Sequence, residues 1–121
     1  MILEDFYEVT HTSVSGDSAI TKLQINKDHE IYKGHFPGRP VTPGVVLMQL
    51  FKEEAERIFA KKLQLVRADN VKFTAVFDPT VNRELILESD ITEVGEFIKL
   101  KGSARNSDGT VLKLNCLYKA G

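Results

Sequence analysis

Residues 34–51 of this 121-residue chain read Gly-His-Phe-Pro-Gly-Arg-Pro-Val-Thr-Pro-Gly-Val-Val-Leu-Met-Gln-Leu-Phe, and the sequence changes character at Gly44. Between His29 and Gly44 the chain holds three glycines and three prolines, a density that excludes both a regular helix and a central strand. From Val45 to about Lys62 there is neither glycine nor proline, and apolar residues recur at helical spacing. The sequence therefore predicts a loop followed by one helix.

The predicted helix changes in polarity along its length. Its first two turns, residues 45–51, are apolar on every side except at Gln49. Charged residues occupy most of positions 52–57, which indicates that the far end reaches solvent. We therefore expect the start of the helix to be buried. Glu53 and Arg57 stand four residues apart, a spacing that favours an ion pair between them.

Five further segments have the composition of strands, with turn residues between several of them. They are residues 19–25, 70–77, 84–92, 97–104 and 110–119. Turns are predicted at Ser15–Ser18 and Glu93–Glu96, and Asn106–Gly109 is a strong hairpin signal. The order of strand, loop, buried helix and antiparallel meander predicts an α+β fold in which one sheet wraps around one long central helix.

Size and composition limit the class of protein. A chain of 121 residues supports one compact core, so residues 1–121 are predicted to form a single domain. With a net charge of −1, the chain has no overall positive potential that would attract nucleic acid or an anionic membrane. Cys116 is the single cysteine, and no apolar run is long enough for a membrane span. A cytoplasmic location is expected.

The segment quoted above also carries a family signature. Gly-His-Phe-Pro-Gly-Arg-Pro-Val, one residue, and then Pro-Gly-Val resembles the motif of the FabZ-type, FabA-like 3-hydroxyacyl-[acyl-carrier-protein] dehydratases. A weaker likeness follows at residues 68–73 and at Asp78-Pro79. The resemblance implies a hotdog fold, a lyase acting on acyl thioesters in fatty acid biosynthesis, and no cofactor. It also implies that Phe36, Pro37, Pro43 and Val45 contact the substrate.

Elimination of water from a 3-hydroxyacyl thioester needs a base for the C2 proton, a donor to the thioester carbonyl and an acid for the departing hydroxyl. His35 can be the base because imidazole titrates near neutral pH; outside this motif, a loop histidine with a backbone partner would be the ordinary interpretation. Gly44 lies at the predicted helix start, where unpaired N–H groups point outward. The resemblance assigns the Gly44 N–H to the substrate carbonyl.

Gln49 departs from the family pattern. It falls at the position where the family carries a catalytic Glu or Asp on the helix. A neutral amide can orient a hydroxyl or a water molecule, but it does not deliver a proton as a carboxylic acid does. The alternative is a buried amide whose hydrogen bonds are made by the backbone. An unpaired amide among these apolar neighbours would destabilise the fold, and this favours a polar cavity around Gln49. Glu53 lies one turn further along, about 5.4 Å of rise, which makes it a poor substitute.

The resemblance also implies partners. The family assembles its active site across a homodimer, so a dimer is expected, with a related subunit as a second possible source of the missing acid. Lys33, Arg39 and Lys72 are candidates for a basic patch that binds acyl carrier protein or the phosphate of a phosphopantetheine or coenzyme A thioester. Ordinary solvated charges are the alternative interpretation of these three residues.

Two other functions remain open at this point. A hotdog thioesterase would use Gln49 to hold a hydrolytic water, and a non-catalytic acyl-binding subunit would explain the loss of the acid. No histidine or cysteine has metal-ligand spacing, so no metal is expected. The serines lack a nucleophile turn, so covalent catalysis is not expected.

Overall fold

The computed structural model describes residues 3–33 and 40–121, which form one antiparallel sheet and one long helix. The strands are β1 (Tyr7–Ser15), β2 (Ser18–Ile25), β3 (Leu63–Phe73), β4 (Glu84–Val94), β5 (Phe97–Asn106) and β6 (Gly109–Ala120). The helix α1 spans Gly44–Phe59, and a 3₁₀ turn spans Glu30–Tyr32. The six strands lie in the order β1-β2-β4-β5-β6-β3, which agrees with the predicted α+β architecture.

Most of the strand predictions are confirmed. β2, β4, β5 and β6 coincide with the predicted segments to within two residues at each end. The Asn106–Gly109 hairpin joins β5 to β6, and the turn after Val94 joins β4 to β5. These strands alternate buried and exposed residues, so their apolar faces all lie on the helix side of the sheet.

Two strand predictions need correction. β1 was not predicted, and β3 begins at Leu63 instead of Asn70. The early start of β3 follows from the end of the helix, because Ala60 adopts a left-handed conformation (φ 53°) and stops α1 before Lys62. β3 then pairs with β6 at the edge of the sheet, so the predicted meander begins only at β4.

Helix α1 buries one face against the sheet and turns the other face away. Its buried residues are Val46, Leu47, Leu50, Phe51, Glu54 and Ala55. The helix start is buried as predicted at four of its apolar residues, but Val45 is 69% exposed. A single sheet can cover only one side of a helix, which leaves the opposite side of an apolar turn uncovered. The described residues contain no helix with the length and apolar character of a membrane span.

Small residues in register bring the helix close to the sheet. Ala19, Ser89 and Gly102 are cross-strand partners on β2, β4 and β5, and all three are buried. A Cβ atom on Gly102 would lie 2.6 Å from Cε1 of Phe51, so the absence of a side chain makes room for this ring. The row therefore forms a shallow trough in which the middle of α1 rests.

A carboxylate lies buried beside this trough. Glu54 is 3% exposed, and its Oε1 accepts a hydrogen bond of 2.5 Å from the Thr21 hydroxyl. Arg57 pairs with the same carboxylate and donates to the Thr12 hydroxyl at 2.8 Å. The expected pairing of Arg57 with Glu53 is therefore wrong. The Thr21 and Arg57 donors compensate the cost of removing the Glu54 charge from water.

We expect Thr21→Val to destabilise the fold. The substitution keeps the shape of a fully buried side chain and removes a donor to a buried carboxylate, a loss of about 1.5–3 kcal/mol. Urea unfolding measures the difference. Thr92→Val, at an exposed position of β4, is the matched control and should change stability little. Equal unfolding midpoints for the two variants would contradict this account of Glu54.

Candidate functional site

The predicted catalytic loop lies largely outside the described residues. His35, Phe36, Pro37 and Arg39 belong to residues 34–39, for which the structure gives no placement. The residues on both sides of this segment are described, and they show how its two ends are anchored.

A hydrogen bond of 2.8 Å joins the hydroxyls of Tyr32 and Thr42, which precede and follow this segment. Both side chains are buried, and the Thr42 N–H donates to the carbonyl of Phe77 at 3.1 Å. The Tyr32 ring packs on Phe6 with a centroid separation of 5.9 Å. Tyr32 and Thr42 are thus both attached to the core. Burial raises the pKa of Tyr32 to about 12 from its ordinary 10.0.

The start of α1 is set by Pro43 and Gly44. Pro43 is the N-cap residue, and its carbonyl accepts hydrogen bonds from Val46 and Leu47 N–H at 3.0 and 3.3 Å. No side chain among the described residues caps this end. A Cβ on Gly44 would lie 2.6 Å from the Phe73 ring, so glycine permits the close approach of β3. The backbone N–H groups at this end can serve an anionic or carbonyl oxygen.

Gln49 lies on the side of α1 that the sheet leaves uncovered, where it is partly buried. Its Nε2 donates to Oε2 of Glu53 at 3.1 Å. Glu53 also accepts from the Tyr7 hydroxyl at 3.0 Å and from the Leu3 N–H at 3.1 Å. We refer to Leu3, Tyr7, Gln49 and Glu53 as the Glu53 cluster. Gln49, Glu53 and Tyr7 line an open groove of about 750 Å³ that continues along α1 to Ala60. The predicted polar cavity around Gln49 stays a prediction.

Tyr7 serves the Glu53 cluster as a donor. Burial raises the pKa of the Tyr7 phenol well above its ordinary range, and the negative charge of Glu53 raises it further. The phenol therefore keeps its proton at neutral pH and donates a hydrogen bond to the carboxylate. Sequence reasoning missed Tyr7 and Leu3 because they are distant in the chain. The i,i+4 spacing of Gln49 and Glu53 was the available signal for the rest of the cluster.

The predicted carrier-binding lysines lie in different parts of the fold. Lys72 is the cross-strand partner of Lys113, whose neighbours Leu112 and Leu114 are buried, so both lysines face away from the helix. Lys72 lines a cavity of about 780 Å³ on this outer face, and no helix residue contributes to that cavity. Lys33 follows the 3₁₀ turn and is exposed.

Other candidate groups are accounted for within the fold. Cys116 is buried in β6, and burial raises the pKa of its thiol, as expected for a core cysteine. His29 bridges the Glu4 carbonyl and the Ile31 N–H. Within residues 3–33 and 40–121, no three His, Cys, Asp or Glu side chains are grouped in a way that could hold a metal ion.

Comparison with known proteins identifies the family. The sequence model of the ApeI-like family, described as ApeI dehydratase, matches residues 11–109, which is most of the chain. The chain belongs to the ApeI-like dehydratase family. The matched range includes the whole motif at residues 34–45, Gln49 and the whole of β2, β3, β4 and β5. It covers β1 only from His11 onward and reaches only the first residue of β6.

The chain is also similar to FabZ dehydratases. It is 26% identical to 3-hydroxyacyl-[acyl-carrier-protein] dehydratase FabZ of Enterococcus faecalis over 117 residues, covering 95% of this chain and 77% of that protein. It is 31% identical to FabZ of Lactobacillus helveticus over 71 residues, or 53% of this chain. That second alignment spans about half of the relative, 48% of its length.

Solved structures confirm the hotdog fold. The dehydratase heterocomplex ApeI:P from Xenorhabdus doucetiae matches with a TM-score of 0.76 at 19% identity, covering 93% of this chain and 97% of that chain. A hypothetical thioesterase from Streptococcus pneumoniae with coenzyme A matches with a TM-score of 0.71 at 9% identity, covering 99% and 91%. At these identities the likeness establishes the fold alone.

We predict that Tyr32 makes the stability of this ApeI-like protein fall in alkali. The pKa of Tyr32 is about 12 in the folded chain against 10.0 for an ordinary tyrosine, so its stabilising effect is complete below pH 10 and is lost as pH rises towards 12. The difference in unfolding free energy between wild type and Tyr32→Phe should therefore be constant below pH 10 and decrease above it. Urea titrations at each pH measure it. Thr42→Val keeps the phenol and should retain the alkaline decline; a constant difference up to pH 12 would exclude this role for Tyr32.

Proposed function

We propose that this protein is a 3-hydroxyacyl thioester dehydratase, a lyase that removes water from an acyl group carried by acyl carrier protein or coenzyme A. The observation that carries the proposal is the match to the ApeI-like family across the motif that holds His35 and Gly44. The uncapped start of α1 supports it, because backbone N–H groups are available there for a thioester carbonyl.

In the proposed reaction His35 removes the C2 proton of the substrate, and the C2–H electron pair becomes the C2–C3 double bond. The C3–O bond breaks, and the hydroxyl leaves as water after it gains a proton. The Gly44 N–H stabilises the negative charge that develops on the thioester oxygen. Gln49 orients the departing hydroxyl without supplying the proton, so solvent or the imidazolium of His35 must supply it.

We propose a dimer in which two chains complete each site. Gly44 and Gln49 are five residues apart on α1, about 7.5 Å along the axis and about 140° around it. This separation supports a site that combines Gly44 and His35 of one chain with Gln49 of the other. The edge strand β3 offers the contact surface, because Leu65, Val66 and Phe73 are each about half exposed there.

A related chain is an alternative to a second copy. The ApeI:P structure, which shares this fold, is a dehydratase heterocomplex. A partner of that kind could supply the carboxylic acid that Gln49 replaces. Lys33, directly before the motif, and Arg39, within it, would then meet the carrier. Lys72 lies on the outer face of the sheet and would need a separate contact.

A thioesterase is the second candidate function. The hotdog protein from Streptococcus pneumoniae, described as a hypothetical thioesterase, was solved with coenzyme A. An amide at position 49 can hold a water molecule as well as a hydroxyl, which is the feature of this chain that favours hydrolysis. The His-Phe-Pro segment resembles the dehydratases and favours elimination. A non-catalytic acyl-binding subunit would lack both activities.

We expect His35→Ala to abolish formation of the enoyl product from a 3-hydroxyacyl thioester while the fold stays intact. The loss follows from the removal of the base, whose contribution is typically about 10²–10⁴-fold. Absorbance of the enoyl thioester and release of free thiol, measured in parallel, separate elimination from hydrolysis. His11→Ala, at an exposed position of β1, is the matched control. Undiminished enoyl formation in His35→Ala would refute the proposal, and thiol release alone in wild type would favour the thioesterase.

The dimer is tested at the sheet edge. Val66→Lys places a charge on the exposed apolar surface of β3, where Val66 is 45% exposed, and should convert the dimer to monomer in sedimentation. Val14→Lys is the control, because Val14 is 56% exposed on β1 at the opposite edge. A monomeric wild type, or dissociation by Val14→Lys instead of Val66→Lys, would contradict a dimer through β3.

A further inference from the structure

The cavity on the outer face of the sheet is separate from the candidate site. It has a volume of about 780 Å³ and is lined by residues of β2, β3, β4, β5 and β6. No described residue of α1, which carries Gln49 and Glu53, lines it. Its size lies in the range of pockets that hold small ligands, about 300–1,000 Å³. We refer to it as the outer-face cavity.

Three lysines on neighbouring strands line the outer-face cavity. Lys113 on β6 stands directly opposite Lys72 on β3. Lys101 on β5 stands opposite Asn115, which is two residues beyond Lys113 on the same strand. Directly opposite Cβ atoms lie about 5 Å apart and diagonal ones at most about 8 Å apart. The three ammonium groups, on flexible four-carbon stems, can therefore reach one ligand.

The charges of these three lysines are not neutralised within the described fold. None of them forms an ion pair in the part of the chain that the structure describes. The acids that line the cavity have other partners. Glu88 accepts from Nε of Arg105 at 2.8 Å, and Asp90, although it stands opposite Lys101, accepts from the Ser18 hydroxyl at 2.7 Å. The cavity therefore has positive charge available for an anion.

The strand β3 is irregular where it borders the cavity. A bulge lies between Asp69 and Lys72, and Asn70 within it adopts a left-handed conformation (φ 52°). A bulge turns side chains out of the regular alternation, and both Asn70 and Val71 line the cavity. Beyond the bulge, Lys72 and Lys113 are like charges directly opposite each other, which weakens strand pairing. An anion between these two lysines would remove the repulsion.

Small and polar side chains complete the outer-face cavity. Ser103 lies on β5 between its cross-strand partners Glu88 and Lys113, where its short side chain leaves space. Its hydroxyl and the amides of Asn70 and Asn115 can donate hydrogen bonds to an oxygen-rich ligand. A phosphate group combines such oxygens with negative charge, and lysine binds phosphate as a point charge.

The charge of the lysines indicates the size of the ligand. One phosphate monoester carries about −1.5 to −2 at neutral pH, which is less than the charge of three lysines. We propose that the outer-face cavity binds a small soluble ligand with at least two phosphate groups, which Lys72, Lys101 and Lys113 contact. The site lies outside the catalytic machinery and does not depend on the proposed function.

Calorimetry with sodium pyrophosphate and with inorganic phosphate, at constant ionic strength, tests the site. Pyrophosphate should bind more tightly, because it can contact more of the lysines. Lys113→Gln removes the central charge and should weaken pyrophosphate binding about 10-fold or more, as expected for one lost hydrogen bond to a charged group. Lys119→Gln is the matched control, because Lys119 is exposed on the same strand and does not line the cavity.

A second variant separates a defined cavity from general attraction to a basic surface. Ser103→Phe fills the space between the lysines and leaves every charge in place, so it should also prevent pyrophosphate binding. An aromatic residue is well tolerated on a strand. Thr92→Phe, at an exposed position of β4 outside this cavity, is the control and should bind as wild type does.

Urea unfolding first confirms that each variant is folded, and Lys72→Gln replaces Lys113→Gln if the latter is not. Absence of pyrophosphate binding to folded wild type would overturn the inference. Equal weakening by Lys119→Gln, or undiminished binding by Ser103→Phe, would indicate diffuse attraction and would overturn it too. Loss of binding in Arg39→Gln but not in Lys113→Gln would assign the phosphate to the motif instead. None of these results bears on enoyl formation, so the proposed function is tested separately.

Discussion

The packing of the Phe51 ring on Gly102 is the contact on which the rest of this structure depends. It sets the distance between α1 and the middle of the sheet, because any side chain at Gly102 would meet the ring. One turn later the helix reaches the sheet again through Glu54 and Thr21. Because this face of α1 packs on the sheet, the candidate functional residue Gln49 and its neighbour Glu53 lie on the opposite face. The position of the candidate site is therefore a result of how the core packs.

The fold was largely predictable because most of its strands carry local signals. β2, β4, β5 and β6 alternate apolar and polar residues between clear turns. The change at Gly44 from a segment rich in glycine and proline to one with helical spacing predicts α1. β1 escaped prediction because it lies at a sheet edge, where most of its residues are exposed and few are apolar. The position of β3 next to β6 in the sheet was not predicted for another reason. Sheet order is decided by long-range pairing, which no local pattern records.

The candidate site was predictable in part. The motif predicts roles for His35 and Gly44, which stay predictions, and Gln49 departs from the motif's family pattern. The surroundings of Gln49 were misjudged, because helical spacing suggested that Glu53 would pair with Arg57. Glu53 instead meets Tyr7 and Leu3, which are 46 and 50 residues away in the sequence. Spacing along a helix shows which of its own side chains can reach one another. It does not show which residues from distant parts of the chain bind the same group instead.

The contact between Gln49 and Glu53 also constrains the order in which mutations can change these two positions of the chain. Glutamine and glutamate codons differ by a single base, so each position is one mutation from the other residue. The order of the two mutations nevertheless matters. A glutamate at position 49 that arises first must coexist with Glu53, whereas a change at position 53 first leaves two neutral amides, which can pair. A lineage that regains the acid is therefore expected to pass through the neutral intermediate, and sequences with amides at both positions would mark that route.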